Sequence, residues 1–305
     1  MTTIISLGEW AVRYMDFVQV KFTRKTYLEK RLVFQLLFQY VDRDLPALKL
    51  TPATILYFLQ DQAKAKTGNN ANKCRKNLLA AWSWGRKYLD LPKENPFDVE
   101  KFPEQRKVRY VPTERDFWKV YEACNSEQDK RMLMSYLNLA ARRAEVFRLT
   151  WSNDIDFFGK KVRLLTRKTK DGSWEVNWLP MTNELYNVLK EQHRETGHLT
   201  HVFVNPANDE AFTSRQHWMK QVCKRAGVKP FGFHAIRHLT ASILASNDVP
   251  MIDIQTILRH KNLATTERYI HRIKKIRAAL EVLSGSNQKK GNQMSNQGLV
   301  TKINR

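Results

Sequence analysis

The stretch LRHKNLATTERYIH, residues 258–271, sets a histidine, His260, nine positions before a tyrosine, Tyr269. At about 3.6 residues per turn, nine residues on one continuous helix put two side chains on nearly opposite faces. A shared task for the pair therefore demands a turn, and the KNLATT segment between them permits one. Upstream, FHAIRHLT places His234 and Arg237 three apart, on one face of a helix. Earlier still, AARRAEVFRL carries Arg142 with Glu145 three residues on, and RKTKDG carries Lys170 two before Gly172. The chemistry within reach is proton transfer by imidazole and oxyanion recognition by planar guanidinium. A phenol with a pKa of about 10 adds a nucleophile, inert at neutral pH unless assisted. A metal reading competes, because His234 and His238 are four apart. Zinc needs a third ligand, nothing fixes His260 or His217 as one, and the glutamate of HExxH is missing. No metal is expected.

These residues need a scaffold, and the hydrophobic periodicity outlines one. Trp10, Tyr14, Phe17 and Val18 recur at helical spacing over 8–20, and TRKTYLEKRLVFQLLFQYV (23–41) reads as a second helix. Thr51-Pro52 opens a third through Gln62, as N-cap and first turn. Residues 70–90 form a fourth, with Lys73, Arg75 and Lys76 near its start. The prolines and charges of 91–109 read as an exposed linker. Thr113, three before Asp116, resembles a capping box that opens a second unit. Leu133, Leu137, Ala140, Ala144 and Phe147 share a stripe, which predicts one helix over 131–149. The period then shortens. DIDFF, KVRLLTR and WEVNWLPM read as three antiparallel strands, with Asp171-Gly172 in the second turn. Helices are predicted again at 183–195, 214–226, 234–246, 250–258 and 266–283. The polar, acid-free tail is expected to be disordered. The fold class is therefore mainly α with a small antiparallel β-sheet (α+β). Its expected divisions are a helical bundle at 1–98, a linker at 99–111, a second domain at 112–283 and a tail at 284–305.

Charge narrows the partner. Lys and Arg number 52 against 30 Asp and Glu, a formal net of +22, divided as +6 over residues 1–105, +12 over 106–283 and +4 beyond. A surplus in both halves points to a polyanion touching both, and nucleic acid phosphates fit best; a generically basic protein is the bland alternative. No run approaches the roughly 18 apolar residues of a membrane helix. MTTIISLGEWAVRY has no basic start, apolar block and small-residue cleavage site. Cys74, Cys124 and Cys223 lie far apart without a CxxC, as expected of reduced thiols. The expected setting is cytoplasmic and associated with nucleic acid, with no membrane partner.

In chain order, Arg142, Lys170, His234, Arg237, His260 and Tyr269 resemble the tyrosine recombinase (phage integrase-like) family. Its pattern is an arginine in R-x-x-E, a lysine on a β-hairpin, H-x-x-R, a second His or Trp, and a tyrosine about nine residues later. The motifs span roughly 112–283. The N-terminal helices are similar only in architecture to the family's core-site DNA-binding domain. Two departures stand out: Ala140-Ala141 occupies the place of a Thr-Gly pair, and Arg259 replaces a glycine that ends a helix in the left-handed region. Arginine adopts that conformation at a cost of roughly 1 kcal/mol, so a different local turn is expected. Arg143 competes with Arg142 for the first position, and the glutamate spacing favours Arg142.

Each motif alone is weak. Arg142 could simply pair with an acid, Lys170 could be a solvated turn residue, and Tyr269 an ordinary helix aromatic beside Ile270 and Ile273. Together, in order, they imply site-specific DNA recombination. Arg142 and Arg237 would clamp the nonbridging oxygens of a phosphodiester. His234 would accept the tyrosine proton or bond the phosphate, His260 would donate to an oxygen, Lys170 would protonate the leaving 5′-oxygen and Tyr269 would attack. The resemblance further implies a 3′-phosphotyrosyl intermediate without a cofactor and a homotetramer on two double-stranded DNA sites. Accessory excision or host DNA-bending factors would be further partners, and an integrase of a phage or other mobile element is the expected biology. A type IB-like topoisomerase and a non-catalytic DNA-binding protein are the alternatives. Lys73, Arg75 and Lys76 are expected to contact the DNA backbone.

Overall fold

Four short polar residues set the starts of the first four helices. Ser6, Thr23, Thr51 and Thr67 each stand extended before a helix, and each side chain accepts the backbone N–H three residues on. In a computed structural model that describes residues 5–104, 110–167, 173–260 and 262, these helices are α1 (Leu7–Lys21), α2 (Arg24–Phe38), α3 (Pro52–Ala65) and α4 (Gly68–Tyr88). The chain divides into two compact units, Met1–Val108 and Arg109–Arg305.

The first unit packs its four helices around Trp10, Phe34, Phe58, Trp82 and Phe97. The indole N–H of Trp10 donates to Ala81 O at 3.2 Å, and that of Trp82 to Pro92 O and Glu94 O at 3.2 and 3.1 Å. The stretch after α4 is less open than its prolines suggest. Leu91 and Phe97 are buried, Asn72 pairs with the backbone of Phe102, and Arg75 grips Val99 O at 2.6 Å and Asp98 at 2.8 Å. Apolar residues at 91, 97 and 102 thus turn part of the expected linker into a strap on α4.

The second unit begins at α5 (Glu114–Glu122), where Thr113 and Asp116 form a reciprocal capping box. It continues through α6 (Glu127–Leu139), α7 (Arg143–Phe147) and a single helical turn, α8 (Trp151–Asp154). A three-stranded antiparallel sheet follows in the order β1 (Ile155–Asp156), β2 (Lys161–Arg167), β3 (Trp174–Pro180). Arg163 faces Trp178 and Thr166 faces Glu175, so Val162, Leu164 and Thr166 point into the core while Trp174, Val176 and Trp178 face outward. Then come α9 (Asn183–Thr196), the small hairpin β4 (Val204–Asn205) and β5 (Glu210–Ala211), α10 (Gln216–Arg225), α11 (Phe233–Ser246) and α12 (Met251–Leu258). The three cysteines are buried and free. Among the described residues, no helix is long and apolar enough to cross a membrane.

The one long helix expected over 131–149 is two. It stops at Leu139, Ala140 turns left-handed at φ 44° and ψ 39°, and Arg142 is extended before α7 begins. An apolar stripe runs across such a break unnoticed, because neither glycine nor proline marks it. The expected strand at 154–158 is likewise reduced to two residues, since the Asp154 carboxylate caps the turn of α8 through Thr150 N–H at 2.8 Å. The small β4–β5 hairpin was not anticipated. The helix expected over 266–283, the tail at 284–305 and the turn carrying Lys170 lie outside the described residues.

Gly85, in the last turn of α4, tests how tightly the first unit packs. Helix propensity alone favours alanine there by about 1 kcal/mol. A Cβ at Gly85 would sit 2.5 Å from Leu91 Cδ1 and 3.0 Å from the fully buried Trp10 ring. Gly85→Ala should therefore lower stability by about 1–3 kcal/mol in urea denaturation of the full chain.

Candidate active site

A single carboxylate organises the ground between α7, β2 and α12. Glu145, on the first turn of α7, is 4% exposed. Its Oε1 accepts from Arg142 Nη1 at 2.8 Å and from the Thr166 hydroxyl at 2.6 Å. Its Oε2 accepts from Arg142 N–H at 2.8 Å and from Arg259 Nη2 at 2.9 Å. β2 supplies Thr166 because its inward alternation places a small hydroxyl beside the start of α7. Burial pushes the Glu145 carboxyl up, but Arg259, the Thr166 hydroxyl, the Arg142 N–H and the Arg142 guanidinium more than offset this, bringing it down to about 2. The carboxylate is ionised at neutral pH, and Arg142, with a quarter of its side chain exposed, is held by it at the surface.

The second group of residues is fastened to the same break in the chain. α11 starts at Phe233, so His234 is exposed in its first turn and Arg237 lies one turn further, almost wholly buried. Arg237 Nη1 donates to Ala140 O at 2.6 Å and its Nη2 donates to Leu258 O. The Thr240 hydroxyl donates to Leu137 O at 2.8 Å and ties α11 to α6 again. Arg259 takes up the left-handed conformation at φ 51° and ψ 49°, so the turn ends α12 as a glycine would, and the expected local difference does not arise. Its guanidinium also donates to Leu139 O at 3.2 Å, Ile257 O at 2.8 Å and Ala140 O at 3.3 Å. The last carbonyls of α6 and α12, which carry the negative ends of two helix dipoles, are thus met by two cations. His260 follows, half-buried, its backbone locked to Gln255 by bonds of 3.1 and 2.9 Å.

Four of the six sequence-selected residues are accordingly drawn together. Arg142 and His234 line one open cleft of about 580 Å³ with Arg143, Lys220, Phe231 and Phe233. Arg237 bonds to carbonyls two residues before Arg142 and two before His260. Arg237 is closed off from solvent here, although its residue type and spacing read as a cation facing outward to phosphate. Lys170 and Tyr269 lie outside the described residues. The rings of His234 and His238 meet edge to face at 4.5 Å, and among the described residues no cluster of three or more metal-ligating side chains occurs. In the first unit, Lys73 pairs with Glu29 at 3.0 Å, Lys76 is exposed, and Arg75 is committed to the strap at Asp98 and Val99. Arg259 and Thr166 are the residues that sequence reasoning missed. Arg259 was visible only as an unexpected residue at a turn, and nothing in the sequence singles out Thr166.

The Glu145 carboxyl, lowered from 4.5 to about 2, stabilises the fold above pH 4.5, and that contribution fades as pH falls through 2. Glu145→Gln should then cost about 3 kcal/mol at pH 7. The gap between the two denaturation midpoints should stay constant down to about pH 5 and narrow at lower pH, measured in urea at several pH values.

Comparison with known proteins adds to this geometry. Residues 113–275 match the phage integrase family. A tyrosine recombinase of Thermosipho africanus is 27% identical over 182 residues, 58% of this chain and 63% of that protein. A probable integrase/recombinase of Acholeplasma phage L2 is 24% identical over 230 residues, 71% of this chain and 76% of that protein. The chain spans about half to two-thirds of the length of the first curated relatives it matches. Among solved structures, the Tn1549 transposon integrase in complex with transposon right end DNA superposes with a TM-score of 0.74 at 16% identity, over 92% of this chain and 100% of that one. A lambda integrase tetramer bound to a Holliday junction gives 0.72 at 16% identity, over 88% of this chain and 78% of that one. With more than half of its length, including the Arg142 turn and the α11–α12 pair, matched to the family, the chain belongs to the phage integrase family.

Proposed function

We propose that this chain is a site-specific DNA recombinase that cleaves and rejoins double-stranded DNA through a covalent 3′-phosphotyrosyl intermediate, as the integrase of a phage or other mobile element. The observation that carries the reading is that Arg237 bonds the carbonyls two residues before Arg142 and two before His260, while Arg142 and His234 line one cleft. In this group the guanidiniums of Arg142 and Arg259 both contact the Glu145 carboxylate, Glu175 acts on Arg259 electrostatically, and Arg237 lies on peptide carbonyls. The excess positive charge suits an oxyanion.

In the proposed reaction the Tyr269 oxygen forms a bond to phosphorus as the bond from phosphorus to the 5′-oxygen breaks. His234 takes the phenolic proton, and Lys170 gives a proton to the departing oxygen. Negative charge grows on the nonbridging oxygens, where Arg142 and the His260 imidazole donate to it. Arg237 joins by exchanging the Ala140 and Leu258 carbonyls for phosphate oxygens as DNA docks. The ester conserves the energy of the broken linkage, so rejoining draws on no cofactor. Lys73 and Lys76 are proposed to hold the DNA backbone, with Arg75 the weakest of the three because it fastens its own unit. A homotetramer on two DNA sites completes the proposal, in keeping with the lambda integrase tetramer bound to a Holliday junction, and accessory excision or DNA-bending factors would set direction.

A pool of nicked duplexes of randomised sequence, retained covalently and sequenced, tests the reading and yields the cleaved site. Adducts that map to one sequence and join two sites support a recombinase. Relaxation of supercoils without joining would mark a topoisomerase, and binding without adduct a DNA-binding protein. Tyr269→Phe should bind the selected duplex and give no adduct; a normal yield would refute the nucleophile. Lys170→Ala should cleave that duplex slowly and recover on a 5′-thiol leaving group, which needs no proton. No recovery would remove Lys170 from the acid role.

A further inference from the structure

Six non-glycine residues adopt positive φ among the described residues, and four of them, Asp90, Lys160, Asp209 and Asp248, are exposed turn residues. The other two, Ala140 and Arg259, are buried and bonded to each other, Arg259 Nη2 donating to Ala140 O. Glycine would satisfy the backbone at 259 with neither left-handed strain nor a buried charge. The arginine side chain must therefore supply something the turn alone does not require. Its acceptors say what: the Glu145 carboxylate on one side, and the carbonyls of Leu139, Ala140 and Ile257 on the other.

We propose that Arg259 is a positioning residue for the phosphate chemistry: it locks Glu145, which sets the aim of the Arg142 guanidinium, and it braces the turn that presents His260. This rests on the reading of Arg142 as a phosphate donor. Glu145 holds Arg142 at two points, guanidinium and backbone N–H, one through each carboxylate oxygen. Arg259 occupies the oxygen that accepts the backbone N–H, opposite Thr166 on the other. Removing it leaves the carboxylate free to swing toward Thr166 and carries the Arg142 turn with it. The same guanidinium spans the ends of α6 and α12, so the spacing between the Arg142 and His260 turns loosens together with the aim.

Arg259→Gly relieves the backbone and deletes only the guanidinium, while Arg259→Lys keeps the charge without the fork. On the selected nicked duplex, Arg259→Gly should slow strand cleavage roughly 10- to 100-fold with DNA affinity within about twofold, and Arg259→Lys should fall between it and the parent. A methylphosphonate at the scissile position is neutral and demands less of the cations, so there the Arg259→Gly deficit should shrink to about threefold or less. Cleavage by Arg259→Gly within about twofold of the parent, or an equal deficit on both substrates, would overturn the proposal. A second readout needs no catalysis. The Arg142 guanidinium N–H signals in ¹⁵N NMR should be sharp in the parent and averaged in Arg259→Gly, and an unchanged spectrum would equally overturn it. A parent that forms no adduct on any duplex would sink the recombinase reading instead, leaving the NMR comparison to decide the hold of Arg259 on Arg142.

Discussion

The second unit turns on one buried carboxylate with four donors. Glu145 is withdrawn from water, and an isolated charge in that position would be strongly destabilising. Its two oxygens are satisfied by two guanidiniums, a hydroxyl and a backbone N–H, which come from the residue preceding α7, from β2 and from the turn after α12. Because every bond is directional, the carboxylate fixes those three pieces of chain relative to one another. A hydrophobic contact of the same area would hold them together without fixing their orientation.

Around that ion lies a second device built from helix ends. α6 and α12 both terminate in left-handed residues, and their last carbonyls converge on Arg237 and Arg259. Helix C-termini carry partial negative charge and unpaired carbonyl groups, so burying two of them together is tolerable only with donors between them. Two arginines are suited to this: planar, permanently charged and able to reach several acceptors at once. The break at Ala140 goes with that arrangement, its carbonyl turned to meet both arginines.

The same arrangement would keep the proposed phosphate-binding surface rigid. Cations aimed at an absent anion repel one another and tend to splay. Here Arg142 is restrained by Glu145, and Arg237 is parked on peptide carbonyls. The positive charge is thereby held in place, and in the proposed reaction it is redirected to phosphate. The apolar cleft wall formed by Phe231 and Phe233 lowers the local polarity beside Arg142 and His234, which strengthens any interaction with a bound oxyanion.

Much of this molecule was legible in the chain itself. Apolar periodicity marked the helices of both units, Thr51-Pro52 and Thr113/Asp116 announced their own caps, and the switch to period two announced the antiparallel sheet. These are local signals, governed by neighbours within four residues. The types and order of Arg142, His234, Arg237 and His260 were equally readable, because chemistry is written in residue identity. What the sequence could not determine was the break of the 131–149 helix and the part Arg259 takes in it. Both depend on partners more than 90 residues away, Ala140 on Arg237 and Glu145 on Arg259, and a hydrogen bond between distant residues leaves no period in the chain. Tertiary structure alone decided that an arginine in a glycine's backbone conformation would bond both Glu145 and the end of α6.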